Sequence, residues 1–324
     1  MRALRLESNG LTLHTDWPIP TLEEGEALVR IHLAGICSTD LEIAKGYFGF
    51  QGTLGHEFVG TVEQVKSSES ESQNWIGQRA VASINFANRF SSEYATYGLE
   101  HHPRRNVLGI LNWDGAMADF VRVPIDNLFE VPDNVSDRQA VFTEPLAAAL
   151  RIPQQITLDP NYRICLIGPG RLGMLIARVL ERTGCCVTVV GRSERSLELA
   201  RKWGIATGRA DDFENSSFDI VVDATGNAQG LAEAVRLTRP LGQLVLKSTF
   251  EQQGQTDLTK VVVDEIQIVG SRCGPFSAAI RMLKSGDLCT EDLIDGEYNI
   301  EQSIEAFEFA AQPSIRKVLL SFDS

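Results

Sequence analysis

The chain has 324 residues, 43% hydrophobic and 23% charged, an ordinary globular composition that excludes wholesale disorder and fibrous repeats. At roughly 150 residues per domain the length predicts two domains, each with a sizeable core. The formal charge of −13 argues against nucleic acid or a membrane surface as partner, because both need clustered Lys and Arg.

The amino-terminal stretch MRALRLESNGLTLHTD lacks the apolar run of a signal peptide, and no window approaches the roughly 20 apolar residues of a bilayer span, so a cytoplasmic location is expected. The first third reads as β, with short β-branched runs at 27–33, 58–65 and 80–84, and the polar stretch 66–74 is a predicted hairpin tip. From about residue 160 the pattern changes. Apolar runs at 164–167, 187–190, 220–223 and 244–246 alternate with helical patterns at 171–183, 194–203 and 228–237, which implies βαβ units and a parallel sheet. Gly184 and Gly204 fall where two of these helices should end. After GSRCGPF come a helix at 277–284 and a strand at 317–322. Cys165, Cys185 and Cys186 lie in runs that read as buried strands, and in a reducing compartment the six cysteines do not form a disulfide framework.

Two motifs carry chemistry. Gly168, Gly170, Arg171, Leu172 and Gly173 form a G-x-G-x-x-G turn between a strand and a helix, where the glycines let backbone approach a pyrophosphate and the helix N-terminus offers free N–H groups. An NAD site should then show an acid about 20 residues on, at the end of the next strand. The chain has Gly191, Arg192, Ser193 and Arg195 there, donors suited to a 2′-phosphate, so NADP is favoured over NAD; alternatively Glu194 holds the ribose. The second motif is Gly35 to Asp40 (GICSTD) with Gly55-His56-Glu57. Cys, His and carboxylate are the ligand types of an open catalytic zinc site; a lone Cys37 or His56 is more often packed in a core, but the adjacent Thr39, Asp40 and Glu57 offer a proton acceptor and orienting groups that raise the metal reading.

CSTD, GHEFVG, FTEPLAAAL, GPGRLG, DATG and VVVDEIQIVGSRCGPF, in this order, resemble the zinc-containing medium-chain alcohol and polyol dehydrogenases, including the threonine-dehydrogenase-like branch, over nearly the whole chain. The resemblance implies an α/β protein: a GroES-like β-barrel catalytic domain (1–143 and 272–324) plus a Rossmann domain with a doubly wound parallel sheet (144–271). It implies that Cys37, His56, Glu57 and Glu144 hold or approach one catalytic zinc, that Thr39 passes on the substrate proton, and that Asp40 supports His56. Glu42 stands where several members place a relay His. Where members with a second, structural zinc carry four cysteines, this chain has Asn88, Ser91, Tyr94 and His102, so a lobe held by packing and hydrogen bonds is expected, with His101 and His102 exposed. Tyr47, Phe48, Phe50 and Trp113 fall in segments that border the family's zinc cleft; barrel packing is the competing reading, and a lining role would favour a substrate with an apolar or ring portion.

The leading expectation is therefore an oxidoreductase that interconverts a small-molecule alcohol and a ketone or aldehyde with zinc and NADP(H), as a homodimer or homotetramer with neither nucleic acid nor membrane as partner. A zinc-free quinone- or enoyl-reductase-like enzyme and a nucleotide-binding protein without turnover are the alternatives.

Overall fold

The longest strand, Glu26–Ile36 (EALVRIHLAGI), is buried along nearly its whole length and so must be covered on both faces. In the computed structural model, which describes residues 1–46, 49–249 and 258–322, it pairs antiparallel with three others: Glu57–Lys66, Phe120–Pro124 and Lys317–Ser321. Arg79–Ala82, Leu128–Glu130 and Ile294–Asn299 complete a seven-stranded sheet. The polar stretch 66–74 joins two antiparallel strands, as a hairpin should, and part of it winds into the 3-10 helix Ser70–Trp75.

The chain divides into two compact units, residues 1–144 with 276–324, and residues 145–275. The second unit is built on a six-stranded, all-parallel sheet in the order Ala206–Gly208, Cys186–Val190, Arg163–Ile167, Phe218–Asp223, Thr238–Leu246, Gln267–Gly270. Numbered along the chain this is 3-2-1-4-5-6, the doubly wound order of dinucleotide-binding sheets. Its helices Arg171–Glu181, Glu194–Lys202 and Ala228–Leu237 follow the strands in turn, within two residues of the sequence expectation. Gly204 has φ +77° two residues past the second helix, and Gly184 has φ +83° three residues past the first.

Two expectations are corrected. Cys186 is exposed, because it opens its strand at an uncovered end of the sheet, level with the exposed Arg163 of the neighbouring strand, while Val190 on the same face is buried. His102 is buried, at 1% exposure, while His101 is exposed as expected. The backbone N–H of Arg104 donates to His102 Nδ1 at 3.1 Å, so Nε2 carries the hydrogen and faces Ser91 Oγ at 2.8 Å. The Ser91 hydroxyl in turn donates to the Asn88 carbonyl at 2.9 Å. Three of the four positions that would hold a structural metal are thus joined by hydrogen bonds.

Candidate active site

Residues Ser38–Ala44 form a short helix with Cys37 at its N-cap, and Asp40, fully buried, accepts the Cys37 N–H at 2.8 Å. The other Asp40 oxygen lies 3.3 Å from the Gly55 N–H and 3.3 Å from His56 Nδ1. One carboxylate therefore ties both ligand-bearing loops together. Gly55 permits this: it has φ +97°, and a Cβ there would stand 2.9 Å from the Met117 backbone nitrogen.

Cys37, His56 and Glu57 come together from the helix start, the loop before the 57–66 strand and that strand's first residue, with one ligand atom of each within 4.8 Å of the others. Thiol, imidazole and carboxylate, buried or half-buried, are the donor set that suits zinc, and the residues fit that metal. Burial alone would hold His56 neutral, but the adjacent Asp40 carboxylate, followed by Cys37, outweighs it and lifts its pKa well above the usual histidine range. Thr39 Oγ1 lies 3.8 Å from Cys37 Sγ, and Glu42 is paired with Lys45 at 2.8 Å. Glu144 sits in the first turn of the helix Thr143–Leu150 and lies outside the group of three.

Sequence reading missed one neighbour. Lys317 Nζ is hydrogen-bonded and ion-paired to Glu57 Oε2, with both residues buried. The only available signal was a lysine opening an apolar strand. Phe50 and Trp113 line an open cavity of about 390 Å³ together with Arg5, Arg122, Asp114 and Leu111, none of them a candidate metal ligand, and Trp113 also packs edge-on against Phe86, as barrel packing predicts. Tyr47 and Phe48 lie outside the described residues.

In the second unit the turn after Arg163–Ile167 is tight. Gly168 has φ +95°, its N–H reaches the Val190 carbonyl at 3.2 Å, and a Cβ on Gly173 would collide with the Gly168 carbonyl. Gly170 stands at the N-cap of the helix Arg171–Glu181 and, lacking a side chain, makes no side-chain cap there. At the end of the next strand Gly191 bonds to the Gly208 carbonyl at 3.2 Å, and Ser193 caps the following helix through the Ser196 N–H. Arg192 and Arg195 are exposed, with no ion-pair partner among the described residues. Arg209, also exposed and also missed, follows Gly208 at the end of the neighbouring strand.

Residues 23–133 match the alcohol dehydrogenase GroES-like domain, and residues 172–285 match the zinc-binding dehydrogenase domain. Sorbitol dehydrogenase of Halalkalibacterium halodurans is 26% identical over 94% of this chain and 94% of its own length. An alcohol dehydrogenase of Escherichia coli CFT073 complexed with NADH is 25% identical, with 99% of each chain covered and a TM-score of 0.90. A zinc-binding dehydrogenase of Sinorhizobium meliloti bound to NADP, 23% identical over 99% of each chain with a TM-score of 0.90, shares the fold. With its GroES-like and Rossmann units, the chain belongs to the zinc-type medium-chain alcohol and polyol dehydrogenases and is an oxidoreductase of that family.

Proposed function

We propose that Cys37, His56 and Glu57 hold one zinc ion and that the chain interconverts an alcohol and its ketone or aldehyde with NADP(H). The observation that carries this is the convergence of three different ligand types within 4.8 Å, from segments some 20 residues apart. Zinc bound there would polarise the substrate oxygen. The chain's own residues do the rest. Asp40 fixes the Cys37 and Gly55 N–H groups and stands against His56, so the ligands are oriented before substrate arrives. Thr39, whose hydroxyl lies near the Cys37 thiol, would take up the alcohol proton and pass its own on toward Glu42, further along the same helix. Glu144 is the further candidate ligand, as the family pattern implies.

NADP is favoured because Glu194, the one acid between Gly191 and Arg195, is drawn to Arg201 at 2.7 Å, while Arg192 and Arg195 stay free for a 2′-phosphate. Gly168, Gly170 and the N–H groups of Arg171, Leu172 and Gly173 would hold the pyrophosphate. Self-association through the sheet edge is also proposed: Gln267–Gly270 is an outer strand, and Ile268 upon it is 41% exposed.

Metal analysis of the wild type and of Cys37→Ser, with a panel of alcohols and ketones assayed against both nucleotides, tests the reading. One zinc per chain that is lost in Cys37→Ser along with turnover supports it. Turnover without zinc, or nucleotide binding without turnover, would sink it.

A further inference from the structure

Lys317 brings a cation into the buried centre of the candidate metal site, 260 residues from its partner. It is 3% exposed and Glu57 1% exposed. Val318 pairs with Ile36, so the next position along carries Lys317 level with Cys37, and Glu57 pairs with Gly35 on the other side of the same strand. The ammonium has Phe142 on one side, at 5.7 Å from the ring centroid, and Glu57 as its carboxylate partner.

Such a pair has a cost. Two charges removed from water lose most of their solvation, and an apolar pair of equal volume often serves stability as well. Placing a cation beside the residues that would bind another cation is more unfavourable still, unless the ammonium acts on the carboxylate. Gly35 points to that. A Cβ on it would lie 2.5 Å from Glu57 Oε2, the oxygen that Lys317 holds, and 3.4 Å from Lys317 Cδ. The missing side chain leaves room for the carboxylate in this one position.

Resting on the metal reading above, we propose that Lys317 is a positioning residue that competes with the metal for Glu57 and so keeps that carboxylate a displaceable ligand. Among the described residues no cation stands against Cys37 or His56, which act as fixed ligands. Removing Lys317 commits Glu57 to the metal, tightens binding and closes a coordination position to small molecules.

The test is metal affinity by chelator competition with zinc and with cobalt(II), together with the visible cobalt spectrum titrated with imidazole. Lys317→Met should bind metal roughly tenfold more tightly and need roughly tenfold more imidazole for the spectral change, within the range that changes around metal ligands produce. Lys317→Arg should restore both values. Gly35→Ala, which displaces Glu57 Oε2 with both charges retained, should move both in the same direction as Lys317→Met and covers the case in which Lys317→Met does not fold. In a Glu57→Gln background the effect of Lys317→Met should vanish. A gain that persists there would mean simple repulsion between cations, and unchanged or weaker metal binding in Lys317→Met and Gly35→Ala would mean that the pair only fills the core; either result overturns the proposal. Wild-type protein that binds no stoichiometric metal would instead overturn the metal reading itself.

Discussion

Glu194 Oε2 lies 2.7 Å from Arg201 Nη1, two turns further along the same helix. The acid at the nucleotide end of that helix is thereby turned along the helix, and the neighbouring guanidinium groups are left to meet an anion. Arg192→Ala is expected to weaken NADP binding roughly ten- to a hundredfold and to leave NAD nearly unaffected, the usual consequence of removing one partner of a charge-assisted hydrogen bond. Fluorescence titration with both nucleotides checks this; equal losses would return the ribose to Glu194.

Asp40 contacts three groups at once, which makes it the most exacting position in the candidate metal site. Asp40→Ala should lower zinc affinity about ten- to a hundredfold and reduce turnover with it, because the Cys37 cap and the His56 partner vanish together. Chelator competition on the purified variant measures the first effect. An unchanged affinity would show that the two loops hold their geometry without it.

The hydrogen bonds among His102, Ser91 and Asn88 make the second lobe a question of stability. Ser91→Ala leaves the buried His102 Nε2–H without its acceptor, at a cost of about 1–3 kcal/mol, and thermal unfolding should show it as a lower Tm that added zinc does not recover. Recovery by zinc would mean that the lobe is a metal site after all.

Asp137 gives a pH dependence with a definite sign. Burial raises its pKa, but hydrogen bonds from His32 at 2.7 Å and from Arg79 more than offset this and hold the carboxyl below the ordinary Asp range. A depressed folded pKa contributes stability that is present above the unfolded value, about 3.9, and is lost as pH falls through the folded one. Asp137→Asn should therefore lower Tm at neutral pH, and the gap to wild type should shrink below about pH 4. A gap of constant size across the acid range would remove the charge from the explanation.

At the sheet edge, Ile268→Asp is expected to shift any dimer toward monomer, since a charge at the centre of an outer strand blocks edge-to-edge pairing. Analytical ultracentrifugation at micromolar concentration reads the result. Wild-type protein that sediments only as monomer would dispose of the edge as an interface.

Local chemistry was legible in the sequence, and long-range pairing was not. The helix Ala228–Leu237 could be bounded at both ends because Asn227 caps it and its apolar residues keep a helical period. The strand, glycines and helix of the nucleotide turn are contiguous, as are Cys37 with Asp40 and His56 with Glu57. Lys317 could not be assigned a role, because its partner lies on a strand 260 residues away and only the register of the shared central strand joins them. His102 looked like half of an exposed pair because nothing local shows that Ser91 lies beneath it. Cys186 misled for the opposite reason: the apolar run is real, but the run does not show where the covering of the sheet begins, and its first residue lies beyond it.

The order in which a ribosome delivers this site also matters. Glu57 leaves the exit tunnel long before Lys317, and at roughly 5–20 residues per second the interval is on the order of tens of seconds. Throughout that time the strand Glu26–Ile36 can recruit Glu57–Lys66 and Phe120–Pro124, but it lacks Lys317–Ser321, and the Glu57 carboxylate has no ammonium to meet. If Cys37, His56 and Glu57 hold metal as proposed, the nascent chain carries all three without the ammonium and would chelate more avidly than the finished protein. Metal capture during synthesis would precede the arrival of the residue that later loosens one ligand's grip.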